Sequence, residues 1–293
     1  MTQSPKPPFP APAFSLRRHP TALIDAAATI HEQASIGPFC VIDGPVVLEA
    51  DVVVHSHVVI SGDTRIGEGT EIFPFAVIGT RPQDLKYKGE RSQLVIGRHN
   101  CIREHVTINP GTEHGGMETR IGDHGLFMVG SHIAHDCQIG DHVIMANNAT
   151  LAGHVVIDDH AIIGGLSAVH QFVRIGKGAM IGGMSGVEQD VLPWSLVMGE
   201  RASFRGVNLV GLRRAGTDRE CIRQLQQAVH ILFDHNRQDD WAARIDEIQA
   251  QFSDRDAMME VLLAFIQPGS QRGFTAPSQA AQTSAPIKAN NAR

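Results

Sequence analysis

Aliphatic side chains recur at every sixth position through most of the chain. Ile24, Ile30, Ile36, Ile42, Leu48, Val54, Ile60, Ile66, Ile72 and Ile78 follow one another without a slip. Two positions earlier in each unit stands a small or β-branched residue, from Ala22, Ala28, Ala34 and Cys40 to Thr64, Thr70 and Ala76. A polar stretch from Thr80 to Gln93 interrupts the pattern, which resumes in phase at Ile96, Ile102 and Ile108. A second interruption, PGTEHGGMET, moves the phase by one residue, after which the pattern runs from Ile121 to Val187.

A six-residue period fits neither an amphipathic helix nor a half-buried strand; it fits a short strand and a turn, repeated. Three such units close a triangular coil of about 18 residues, whose apolar side chains point inward and stack on the next coil. The spacing therefore predicts a parallel β-solenoid over residues 19–206, with neighbouring coils about 4.8 Å apart. A β-sandwich would need this long, almost unbroken spacing by chance. The interruptions, at 80–93 and 109–120, read as loops thrown out from corners, where solenoids tend to carry binding function. After Val187 the period stops. Thr217-Asp218-Arg219-Glu220 reads as a capping box, followed by Ile222, Leu225, Val229 and Leu232 at helical spacing. Further helical stretches at 241–252 and 254–266 complete a C-terminal helical unit over 207–266, placed to cover the open end. The Pro-rich arm 1–18 and the Gln/Ala/Ser/Pro-rich tail 267–293 read as disordered.

Composition narrows the functional classes. The net charge is −6, which favours neither nucleic acid nor an anionic membrane. Cys40, Cys101, Cys137 and Cys221 lie far apart with no CxxC, against both a disulfide framework and a cysteine zinc site. No apolar run is long enough to span a bilayer, and the prolines near the start interrupt any signal-peptide core. The expectation is a cytoplasmic protein without stable membrane insertion. The 16 histidines against a single tyrosine suggest histidine-based chemistry.

In an 18-residue coil, residues about that far apart become neighbours one layer up. His135, His154 and His170 are spaced to sit near one edge on successive layers, with His132 close by in SHIAHDC. Two chemistries fit. Neutral imidazoles can converge on zinc, leaving a fourth position for water. Alternatively, an imidazole can act as general base, with Asp136 holding the tautomer of His135 and supporting its positive charge. Ser131 is a weak nucleophile candidate, with no nucleophile elbow around it.

The segments RPQDLKYKGE (81–90), SHIAHDC (131–137), ANNATLAGHV (146–155) and AIIGGLSAVHQF (161–172) resemble the UDP-N-acetylglucosamine acyltransferases of lipid A biosynthesis, from about His19 to at least Gly216. The resemblance implies a homotrimer of left-handed parallel β-helices, a handedness that general crossover rules would not supply. It implies transfer of an (R)-3-hydroxyacyl chain from acyl carrier protein to the 3-hydroxyl of UDP-N-acetylglucosamine, with no metal or other cofactor. His135 matches the general base, Asp136 its orienting carboxylate and Gly153 the oxyanion donor. Gln83, Asp84, Lys86, His132, Gln171, Asn208 and Arg214 match sugar-nucleotide contacts. His154 and His170 match residues lining the substrate cleft between subunits.

The sequence departs from a close relative at Val210, Asn109 and Ala215, where Glu, His and a second Arg stand. Gly183 falls where the family measures acyl length and leaves room for a longer chain, whereas Arg201 replaces a histidine in the same groove. Two other readings stay open from the residues: a zinc-dependent β-helix hydratase of the carbonic anhydrase type, and the sister enzyme that N-acylates the glucosamine. The sister usually carries an additional N-terminal uridine-binding domain, for which the first 18 residues are too short.

Overall fold

Backbone pairing converts the six-residue period into a three-sided prism. The computed structural model describes residues 17–234, 237, 239–252, 257–267 and 269–278. Two-residue strands stack in parallel into three sheets. The first face has nine strands, from Leu23–Ile24 to Gly186–Val187. The second has eight, from Thr29–Ile30 to Arg174–Ile175, and the third has ten, beginning at Ser35–Ile36. The coil is left-handed.

Register is strict: Ile144 pairs with Ile162, which pairs with Met180, and Met145, Ile163 and Ile181 follow beside them. In the two-residue strands from Ser35–Ile36 to Gly186–Val187 the first residue faces outward and the second is buried, so Phe127, Met145, Ile163 and Ile181 form one inward column. The small residues two places earlier, such as Cys137, Val143 and Ala149, fill the space behind the corners. Amides run from layer to layer, as in Gly122 N–H to Ile139 O at 2.8 Å and Gly140 N–H to Ile157 O at 2.7 Å.

Many corners place one residue in the left-handed region. Histidine takes this position at His57, His99, His105, His124, His142, His154 and His160, consistent with its enrichment there among non-glycine residues. His99, His124, His142 and His160 stack ring on ring, with centroids 4.7–5.1 Å apart. Part of the histidine excess is thus explained by corner geometry.

The ladder also outlasts the legible period. Beyond Val187 the repeat is shorter, yet Val191 bridges Ile175, and Leu196 and Val197 pair with Met180 and Ile181. The third sheet then ends in an antiparallel hairpin, Ser195–Met198 against Ser203–Val207, which covers its last parallel edge.

Among the described residues four α-helices follow: α1 (Leu209–Arg214), α2 (Arg219–Phe233), α3 (Trp241–Gln251) and α4 (Ala257–Ile266). The short α1 has no periodic signal in the sequence. The N-cap of α2 is Asp218, whose carboxylate accepts the Glu220 amide at 2.8 Å. The expected box beginning at Thr217 is therefore displaced by one residue, because the aspartate competes better for the first free amides. Leu192, Leu225, Leu232, Leu262 and Ile266 join a second core that covers the end of the prism.

Arg174 fastens this cover. It pairs with Asp190 at 2.8 Å, donates to the Phe265 and Gly269 carbonyls and lies over the Phe265 ring. Phe274 bridges Asp190, and the Phe204 amide donates to Ala276 O. Residues 269–278, expected as disordered tail, are thus bonded to the last turn of the solenoid. At the other end Arg18, expected in the loose arm, bridges Ile36. The rest of the expected arm (1–16) and tail (279–293) lies outside the described residues.

Truncating one inward column residue removes contacts with the layers above and below. Ile163→Ala, at a position with no solvent exposure, is expected to cost about 2–5 kcal/mol, read as a lower urea midpoint with the far-UV spectrum of the native protein retained.

Candidate active site

Both loop excursions leave from the same corner, between the first and second faces. The first separates Val77–Ile78 from Gln93–Ile96, and the second separates Thr107–Ile108 from Glu118–Ile121. In the next layer this corner is an ordinary tight turn, and it carries His135 and Asp136, between His132–Ile133 and Gln138–Ile139.

The layer arithmetic refines the expected stack. Asp136, His154 and Phe172 occupy the left-handed corner position on successive layers. His154 lies parallel to Phe172, with centroids 4.4 Å apart, and meets the His135 ring edge-on at 5.0 Å. The layer neighbour of His135 is Gly153: a Cβ built there would come within 2.7 Å of the imidazole Nε2. Only glycine lets the backbone approach this ring. His170 falls outside the column; its Nδ1 lies 3.3 Å from the Gln171 carbonyl, and both residues are exposed. The expected triple stack of His135, His154 and His170 is corrected to a pair resting on a phenylalanine.

His135 Nδ1 lies 2.7 Å from Asp136 Oδ2, whose side chain has no solvent exposure. The Thr112 amide donates to Oδ1 at 2.8 Å and its hydroxyl to Oδ2 at 2.6 Å. Burial alone would raise the Asp136 pKa; the hydrogen bonds from His135 and from the Thr112 hydroxyl and amide outweigh it, leaving the carboxyl below its ordinary value. An ionised carboxylate only accepts, so His135 Nδ1 carries the proton, and in the neutral ring Nε2 holds the lone pair. This is the tautomer a general base requires.

His132 Nδ1 is hydrogen-bonded to Thr107 Oγ1 at 2.7 Å. Burial, then His135, holds the His132 pKa down. Burial likewise depresses His154, against the opposing pull of Asp136. Asp84 and Lys86 both act electrostatically on His154, which places the first loop beside this corner. Within that loop Asp84 accepts the Lys86 amide at 3.0 Å, Gln83 is exposed, and Leu85 projects fully into solvent.

Other expected residues stand elsewhere. Asn208 caps α1 by accepting the Gly211 amide and donates to the Gly178 carbonyl, so its amide group is engaged within its own chain at a different corner. Arg214 ends α1 and is exposed. The structure does not bring Asn208 or Arg214 to His135 within one chain. Gly183 sits on the corner between the third and first faces, next to the exposed Met184. Of the departures, Asn109 is buried and donates to Thr80 O, Val210 is exposed, and Ala215 is the C-cap of α1. The Ser131 side chain is sealed inside the prism and cannot be a nucleophile.

His135, Asp136 and His154 offer ligand atoms within 4.8 Å of one another, the one such grouping among the described residues. Both Asp136 oxygens, however, already accept from three protein donors, so a metal ligand there would have to displace one. The donor set suits an imidazolium partner better than a zinc ligand. Thr112, Thr107 and Phe172 were not anticipated from the sequence. The one signal for Thr112 was the phase slip at 109–120, which marks where the second loop re-enters the coil.

A solenoid of six-residue repeats, with an imidazole and a buried carboxylate paired at one corner, is the architecture of the hexapeptide-repeat transferases. Residues 27–62 match the family described as bacterial transferase hexapeptide (six repeats), and residues 190–275 match the second domain of UDP N-acetylglucosamine O-acyltransferase. The acyl-[acyl-carrier-protein]–UDP-N-acetylglucosamine O-acyltransferase of Rickettsia bellii is 53% identical over 257 residues, 87% of this chain and 90% of that protein. Two solved structures superpose with a TM-score of 0.85. LpxA from Acinetobacter baumannii has 42% identity, covering 88% of this chain and 99% of that one. The UDP-N-acetylglucosamine O-acyltransferase of Moraxella catarrhalis has 41% identity, covering 89% and 100%. The chain belongs to the UDP-N-acetylglucosamine O-acyltransferase family.

The depressed imidazoles make stability pH-dependent. In the unfolded chain His132 and His154 take a proton near their ordinary value of about 6.5, whereas in the fold they resist it. The unfolded state therefore binds more protons below that pH, and stability falls as the pH drops from about 6.5 towards the lowered folded values. Urea midpoints should decline from pH 7.5 to 5.5. His154→Asn, which tolerates the left-handed backbone, should flatten that decline.

Proposed function

We propose that this chain transfers an (R)-3-hydroxyacyl group from acyl carrier protein to the 3-hydroxyl of UDP-N-acetylglucosamine, the opening step of lipid A biosynthesis, as a cytoplasmic homotrimer. The observation that carries the mechanism is the His135–Asp136 pair, with its tautomer held and with Gly153 against the ring. His135 Nε2 takes the proton of the sugar hydroxyl as the oxygen attacks the thioester carbonyl. Asp136 supports the imidazolium so formed, and the Gly153 amide meets the developing oxyanion. Collapse expels the carrier thiolate, which recovers the proton from His135. A positioned base contributes about 10²–10⁴ in rate and an oxyanion donor about 10²–10³.

Asp84, Lys86 and Gln83 on the first loop, with His132, His154, His170 and Gln171, hold the sugar nucleotide and line its cleft. Asn208 and Arg214 serve the nucleotide from the neighbouring protomer. Self-association is supported by the outer surface of the third face, where Leu126, Ile144, Ile162 and Met180 stand in one register as an outward apolar stripe. The acyl chain runs over the first face, where the outward positions above His132 shrink through Thr150 and Ala168 to Gly186, towards the edge marked by Gly183. No helix among the described residues is long and apolar enough to cross a membrane.

Incubation with UDP-N-acetylglucosamine and a panel of hydroxyacyl carrier proteins, followed by mass spectrometry, tests both the reaction and the chain length. Absence of an O-acylated product with every donor would refute the reading. His135→Ala should reduce turnover by about 10²–10⁴ or more, with an unchanged elution volume on size exclusion.

A further inference from the structure

We propose that Thr112 is a positioning residue for acyl transfer: its amide and hydroxyl hold the Asp136 carboxylate so that the proton of His135 stays on Nδ1 and Nε2 is left as the base. The proposal rests on the general-base reading above and adds to it a residue from a different layer of the coil.

The geometry is specific. Asp136 Oδ1 accepts from the Thr112 amide, while Oδ2 is shared between the Thr112 hydroxyl at 2.6 Å and His135 Nδ1 at 2.7 Å. The Asp136 backbone amide donates to Thr119 Oγ1 at 2.7 Å, so the second loop and the strand after it grip this residue from three sides. Thr112 is itself pinned: its carbonyl accepts the Gly115 and Met117 amides, and the next amide, of Glu113, donates to Glu90 Oε1 on the first loop. A Cβ on Gly115 would overlap the Asp136 carboxylate, so the loop closes over that group without room for water. A merely structural turn would need neither the hydroxyl aimed at Oδ2 nor this close approach.

The expected consequence has a sign. Losing the Thr112 hydroxyl leaves Oδ2 with His135 as its one remaining donor. The carboxylate's charge is then concentrated on the imidazolium, which becomes harder to deprotonate. Thr112→Val, which also removes the contact that orients the carboxylate towards Nδ1, should lower kcat by about ten- to a hundredfold and move the acidic limb of the kcat/KM profile to higher pH, with little change in KM for UDP-N-acetylglucosamine. Thr112→Ser should restore both. In an Asp136→Asn background, Thr112→Val should have no further effect, because the group it acts through has gone.

Each variant is measured alongside His135→Ala, with size exclusion and circular dichroism as checks on folding. A Thr112→Val enzyme with the wild-type pH limb and turnover, while His135→Ala is inactive, would overturn the Thr112 assignment alone. So would a loss that adds fully to that of Asp136→Asn, or one that Ser does not repair. Near-wild-type turnover in His135→Ala would overturn the base reading and this proposal with it.

Discussion

The hydrogen-bond ladder between coils fixes where everything else lies. Amides and carbonyls along the coils pair with the layer above or below, as from His154 N–H to the His135 carbonyl and from Ala152 N–H to the Val169 carbonyl. Such pairing tolerates no slip, because a one-residue shift would turn the buried column outward. Residues far apart in the chain are thereby held at roughly strand spacing without any side-chain contact being needed to place them. His135 against Gly153, and Asp136 in column with His154, follow from this backbone constraint before any chemistry is considered.

On that frame the site is built by leaving the repeat. Two excursions on consecutive layers depart from one corner, and the layer that follows presents a plain turn beneath their cover. The first brings charged groups to the vicinity of His154; the second lowers Thr112 onto the Asp136 carboxylate. A buried carboxylate is costly unless its oxygens are satisfied. Here three donors satisfy them, one being the imidazole itself. The same hydrogen bonds that make burial tolerable also fix the imidazole's orientation and its tautomer.

The ends and faces of the prism are handled by different devices. A parallel stack leaves an open edge that could recruit another chain; the hairpin at 195–207 and the helical cover held by Arg174 close the last one. The faces differ in their outward residues: an apolar stripe on the third, small side chains on the first beyond His132, and arginines such as Arg65, Arg120 and Arg174 on the second. One inward pattern thus serves three outward surfaces, since the outward positions are released from the core's demand for volume.

The amino-acid sequence by itself determined the coil, its two interruptions and the helical spacing of α2, because burial at every sixth residue writes itself into composition position by position. His135 and Asp136 were legible through adjacency and resemblance, and Asp84 and Lys86 through their motif. The shortened last turn to Val197 was hidden by its altered spacing, and α1 was too short to show a period. Only the tertiary structure decided that Gly153 rather than His154 lies in register with His135, that Ser131 points inward, and that the amide of Asn208 is engaged in a cap. It alone revealed Thr112 as the partner of Asp136. These depend on which loop folds over which layer and on atoms meeting at hydrogen-bond distance, and the one-dimensional period specifies stacking but not how an excursion returns.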